Sequence, residues 1–75
     1  MEQNKAITIN DLDVVALLAD APEANLLRGQ VGTVVHSLDK DTVLVEFSDN
    51  DGASYAITPL PKNILLPLVY ESRAA

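Results

Sequence analysis

Residues 42–48 read Thr-Val-Leu-Val-Glu-Phe-Ser, and residues 30–38 before them read Gln-Val-Gly-Thr-Val-Val-His-Ser-Leu. In the first stretch Val43, Val45 and Phe47 fall on one face, while Thr42, Glu46 and Ser48 fall on the other. That period of two belongs to a strand with one face on a core and one in water. Asp39-Lys40-Asp41 supplies a turn between the stretches. Gln30–Leu38 is then a partner strand, entered through Gly29 and interrupted at Gly32, where a bulge, a bend or a close backbone approach is expected.

Working outward, Asp49-Asn50-Asp51-Gly52 is a turn of residues that tolerate positive φ. Ala53–Thr58 is the return strand, and Pro59-Leu60-Pro61 breaks it with one short 3₁₀ turn. Ile64–Tyr70 is a last strand, in which Pro67 implies an edge position or a bulge. Upstream, Asp13–Asp20 holds six consecutive apolar residues with a β-branched pair, Val14-Val15. This reads as a buried strand, led into by a single helical turn at Ile9–Leu12. Residues 21–28 form a loop with Leu26 and Leu27 tucked inward.

Five short strands with a three-strand meander at their centre are too few for a sandwich. The expected fold is all-β, a five-stranded, partly open small barrel over residues 6–70 with tails at 1–5 and 71–75. Its expected core is Val15, Leu17, Val34, Val43, Val45, Phe47, Ile57 and Leu66. Leu12, Leu18, Leu26, Leu27, Leu60 and Leu65 then exceed what this core needs, which suggests a homodimer.

Composition narrows function mainly by exclusion. At 75 residues the chain is one small domain that buries about 60% of its unfolded surface. It has no cysteine, so disulfides and thiolate chemistry are excluded, and a reducing compartment is expected. Eleven acids against five bases give a net charge of -6, and no two of Lys5, Arg28, Lys40, Lys62 and Arg73 are adjacent. Phosphate backbones and anionic membrane surfaces need clustered cations, so neither nucleic acid nor membrane is an expected partner. The longest apolar run is too short for a bilayer, and the polar first residues do not resemble a signal peptide. A cytoplasmic location is expected.

No motif calls for catalysis. His36 has no nucleophile beside it on the same face, because Ser37 alternates to the other side. With Gly52 at the sixth position of a calcium loop, the first position would be Phe47 and the twelfth Thr58, so Asp49–Gly52 reads as hairpin chemistry. Asp39 and Asp41 supply too few oxygens for a hard cation. Gly29 and Gly32 lack the helix N-terminus and lysine of a phosphate cradle. Phe47, Tyr55 and Tyr70 are too few aromatics for a proline-peptide groove. We therefore expect no enzyme, cofactor, metal or small-molecule substrate.

Arg28-Gly29-Gln30-Val31-Gly32-Thr33-Val34-Val35 is a G-x-x-G-x-V element followed by the Val43–Phe47 strand. It resembles the SH3-like small-barrel group, which includes KOW-type domains, the photosystem I subunit PsaE and the nitrile hydratase β-subunit barrel. A fuller set comprises residues 12–17, Pro22-Glu23, 28–35, Val45-Glu46-Phe47, Asp49, Gly52, Tyr55-Ala56 and 65–68. In that order it resembles the bacterial Domain of Unknown Function 4926 family. The resemblance implies a single-domain barrel without an established activity. Some relatives are encoded near toxin-like proteins, which implies an antitoxin-like or immunity-like partner role.

Charge placement points the same way. Eight of the eleven acids fall within residues 11–23 and 39–49, where Lys40 is the only base. SH3-like connectivity brings the first loop and the second turn to one end. Asp20, Glu23, Asp39 and Asp41 are therefore the expected contact for a basic protein. The alternatives are a KOW-like nucleic-acid-binding barrel, which the charge opposes, and an oligomer-building subunit.

Overall fold

In the computed structural model, residues 8–69 are described. The expected tails, residues 6–7 and Tyr70 lie outside them. The fold is all-β: β1 (Val14–Leu17), β2 (Val31–Ser37), β3 (Thr42–Ser48), β4 (Ser54–Pro61) and β5 (Leu65–Pro67) form one antiparallel sheet in the order β4-β3-β2-β1-β5. β2, β3 and β4 are the expected meander. β5 folds back to pair with β1, which makes the arrangement barrel-like.

The core follows the alternation of β3. Val43, Val45 and Phe47 are fully buried together with Val15, Leu17, Val34, Leu26 and Leu65, and Ile9, Ala21 and Leu60 complete the cluster. Gly32 is where β2 packs most tightly against its neighbour β3. A Cβ there would stand 2.7 Å from Val45 Cγ1, 2.8 Å from the Glu46 carbonyl oxygen and 2.9 Å from Phe47 Cδ2. The glycine in the strand thus marks a close approach of backbone and core. One extra residue in β2, Val35, and one in β4, Tyr55, produce register shifts that bend the sheet further.

Two expected core residues are outside. Ile57 is 58% exposed, because β4 lies opposite Phe47, Val45 and Val43 through Ala56, Thr58 and Leu60, and the intervening Ile57 pairs with Glu46 on the outer face. Leu66 is exposed and Leu65 is buried instead, because Leu65 is the residue opposite Leu17. Of the leucines counted as surplus, Leu26, Leu60 and Leu65 therefore belong to the core, while Leu12, Leu18 and Leu27 are exposed. Leu27 was expected inside. The backbone pairing of Ala21 with Leu26 buries those two and turns Leu27 outward.

The element bounds also differ. Pro59 and Pro61 do not end β4, and the 3₁₀ turn comes after them at Lys62–Ile64; a second 3₁₀ turn occupies Pro22–Ala24. β1 and β5 are shorter than the apolar runs that contain them. Residues 10–13 form a turn, not a helical turn, with Asp13 N–H bonded to Asn10 O and Leu12 at φ 75°.

Prolines are tolerated in β4 because of hydrogen-bond parity. Leu38 N–H donates to Thr42 O, so Thr42 and Leu44 spend their backbone groups on β2. Their opposite residues in β4, Pro61 and Pro59, therefore point their nitrogens at the open edge. At the other edge, Leu68 N–H bonds Val14 O and Ile64 O accepts from Leu18 N–H, so the backbone groups of Leu65 and Pro67 point away from β1, toward the open edge. The Leu65 N–H is taken by Lys62 O. The proline nitrogens thus blunt both edges of the sheet.

Candidate functional site

The two acidic loops are built by local hydrogen bonding. In the β1–β2 loop, Ala21 and Leu26 exchange backbone bonds around the 3₁₀ turn, and Asn25 at φ 59° caps it. Asp20 Oδ1 accepts the Arg28 N–H at 2.9 Å and holds the two sides of the loop together. Glu23 lies in the first turn of that 3₁₀ segment, exposed. In the β2–β3 turn, Asp39 Oδ1 accepts the Asp41 N–H at 2.8 Å, an Asx arrangement that leaves both carboxylates in water.

All four residues expected to contact a basic partner, Asp20, Glu23, Asp39 and Asp41, are exposed. The Lys62–Ile64 turn links the segments that carry them. Lys62 N–H donates to Asp41 O, and Leu18 N–H, two residues before Asp20, donates to Ile64 O, each at 2.8 Å. One turn of 3₁₀ helix thus lies between Asp41 and Leu18. Half-buried Lys62 lies on this bridge and offsets part of the negative field. A shallow open depression in the β1–β2 loop is lined by Asp20, Pro22, Asn25, Leu26 and Leu27.

The remaining candidates have structural roles. Asp49 Oδ1 accepts from Asp51 and Ala53 N–H, and Gly52 takes φ 85°, so residues 49–52 form a hairpin turn closed by its own aspartate. His36 is exposed opposite Leu44, and Ser37 Oγ donates to Asp11 Oδ1 at 3.3 Å. Among the described residues, no three His, Asp or Glu side chains are placed to share a metal ion. No helix among them is long and apolar enough to cross a membrane.

The sheet also carries a feature that the sequence reading does not anticipate. The outward residues of β1 and its neighbours, Val14, Ala16, Leu18, Val31 and Leu66, form an apolar face without a formal charge. Its signal was available: the run Val14–Ala19 shows no alternation, as expected of a strand covered on both faces.

Residues 11–67 match the family described as Domain of unknown function (DUF4926). No curated protein matches, and no solved structure matches. The resemblance to SH3-like barrels expected from residues 28–35 is therefore not matched by any solved structure.

Proposed function

The chain belongs to the DUF4926 family, a domain of unknown function, and from that premise we propose that it is a non-catalytic protein-binding module that recognises a basic protein through its acidic loops. The observation that carries this reading is the exposure of Asp20, Glu23, Asp39 and Asp41 on two segments joined by the Lys62–Ile64 turn. Exposed charges of one sign steer a partner of the other and act mainly on association rate. An antitoxin-like or immunity-like role is one form of this activity. With a net charge of -6, a nucleic-acid backbone is a poor ligand for the same surface.

The test is a set of four neutralisations, Asp20→Asn, Glu23→Gln, Asp39→Asn and Asp41→Asn. Asparagine keeps the acceptor oxygen that Asp20 and Asp39 use to hold their loops and removes only the charge. Association with a partner recovered by pull-down should slow at least tenfold and lose its salt dependence, with the melting temperature nearly constant. Association that is indifferent to salt and to the four changes rejects the reading.

A further inference from the structure

The outer face of β5–β1–β2 is unlike the rest of the surface. Val15 and Leu17 are buried, so Val14, Ala16 and, just past the strand, Leu18 point outward. Ala16 pairs with Val31 on one side and Leu66 on the other, and Val14 pairs with Thr33 and bonds Leu68 N–H. These seven side chains are apolar except for Thr33, and none carries a charge. Leu18, Val31 and Leu66 are exposed. Ala16, the smallest, lies in the middle, with Leu66 and Val31 beside it and Val14 and Leu18 before and after it on β1, so the face is a shallow trough centred on Ala16.

We infer that this trough docks an amphipathic helix with an apolar stripe and cationic ends. Length is the first reason. From Val14 to Leu18 the strand runs about 13 Å, which matches about nine residues of α-helix, or two apolar steps of i, i+3/i+4 spacing. Charge is the second. Asp11 and Asp13 precede the trough, Asp20 and Glu23 follow it, and Glu46 extends the Val14–Thr33 row on β3; in residues 11–31 Arg28 is the only cation, and Lys62, on the turn bonded to Leu18, offsets part of the acid at that end. A helix with lysine or arginine at both ends meets opposite charge at both. Size is the third. Seven side chains are far fewer than the roughly 20–30 residues a side of a standard interface, so the face suits one helix better than a second domain. A second copy would also bring a net charge of -6 to a rim of the same sign. Finally, the prolines at both sheet edges oppose capture of a partner as an added strand, which leaves the face.

This inference takes the sign of the partner's charge from the protein-binding reading above, and the test separates the two. The probe is a helical peptide of about 16 residues with leucines at i, i+3, i+4 and i+7 and lysines at both ends. The control is a scrambled peptide of the same composition. Amide shifts of the full chain are followed by NMR during titration. The expected result is movement of the Ala16, Val31 and Leu66 amides, with at least tenfold weaker binding of the scrambled peptide. Ala16→Ile fills the trough with a good strand former, so it should keep the fold and melting temperature while weakening binding at least tenfold. Leu66→Thr, which removes one wall, should act in the same direction. Equal binding of both peptides, no binding, shifts confined to residues 39–41, or the same face moving with protein concentration alone overturns the inference. Binding that survives Ala16→Ile but falls on neutralising Asp20, Glu23, Asp39 and Asp41 overturns the trough and keeps the acidic reading. Binding lost in Ala16→Ile but indifferent to those neutralisations and to salt supports the trough and overturns the basic partner.

Discussion

The meander β2–β3–β4 and the β1–β5 pair are both antiparallel and share one core, but their sequences are organised differently. β3 alternates strictly, with Val43, Val45 and Phe47 inside and Thr42 and Glu46 half-buried on the other side. β1 and β5 come from the continuous runs Val14–Ala19 and Ile64–Val69, where the inner residues Val15, Leu17 and Leu65 are separated by apolar residues on the outside. Alternation is the pattern of a strand that the chain itself covers on one face only. An unbroken run belongs to a strand covered on both, and among the described residues β1 has only one cover.

The strongest way to break the comparison is in the meander. Phe47 is the largest fully buried side chain, and its ring centroid lies 6.3 Å from that of Tyr55, which caps it from the bulge in β4. Phe47→Ala should cost about 3–5 kcal/mol, a large part of what a domain of this size possesses. Chemical denaturation is the measurement, and an unchanged midpoint would place Phe47 outside and shift β3 by one residue.

Gly32→Ala should follow, at about 1–3 kcal/mol. The added methyl meets Val45, Phe47 and the Glu46 carbonyl within 3 Å, and a backbone oxygen in a ladder yields less than a side chain does. Equal melting temperatures for the variant and the parent would show that β2 and β3 are further apart than the barrel requires.

What the sequence made legible divides along the same line. The bounds of β3, both meander turns and the role of Gly32 could be read because alternation and turn residues are local signals. β1 and β5 are legible as strands, yet period two cannot be read in an unbroken apolar run, and hydrophobicity alone does not separate Leu65, which is buried, from Leu66, which is exposed. The exposure of Ile57 has a different cause. Hydrophobicity favoured Ile57 over Ala56 and Thr58, but register set by Phe47 puts the small residues inside, where the phenyl ring already fills the volume. The prolines in β4 were read as a break because parity toward an open edge is a tertiary fact. The acids of the candidate surface could be located, whereas the Lys62–Ile64 bridge that links their loops depends on two long-range bonds.

A smaller effect of opposite sign is expected at the entrance to β1. The meander turn at 49–52 gives its positive φ to Gly52, but the turn at 10–13 gives it to Leu12, which is 77% exposed. A leucine in the left-handed region costs about 1–2 kcal/mol, and glycine recovers this less about 0.5–1 kcal/mol of backbone entropy. Leu12→Gly should therefore raise stability by about 0.5–1 kcal/mol, read as a higher melting temperature. A lower melting temperature would mean that the Leu12 side chain contributes packing that outweighs the strain.

The smallest effect tests the outer face of the meander against that of β1. Ile57 lies on β4 beside Glu46, on a face that carries charge and faces solvent. Ile57→Thr exchanges one β-branched side chain for a smaller β-branched one, so strand propensity is kept. Little apolar area leaves or enters the core, and the change in stability should stay within about 0.5 kcal/mol. Had Ile57 been a core residue, the same substitution would have buried a hydroxyl without a partner and cost about 1–3 kcal/mol. Leu66→Thr on β5 should be equally mild in the isolated chain. Ile57→Thr should also leave binding of the cationic helical peptide unchanged, whereas Leu66→Thr should weaken it, because only Leu66 borders the trough at Ala16. If Ile57→Thr weakens the peptide as much as Leu66→Thr does, the docking face extends across the meander, and the contrast between the two halves of the sheet fails.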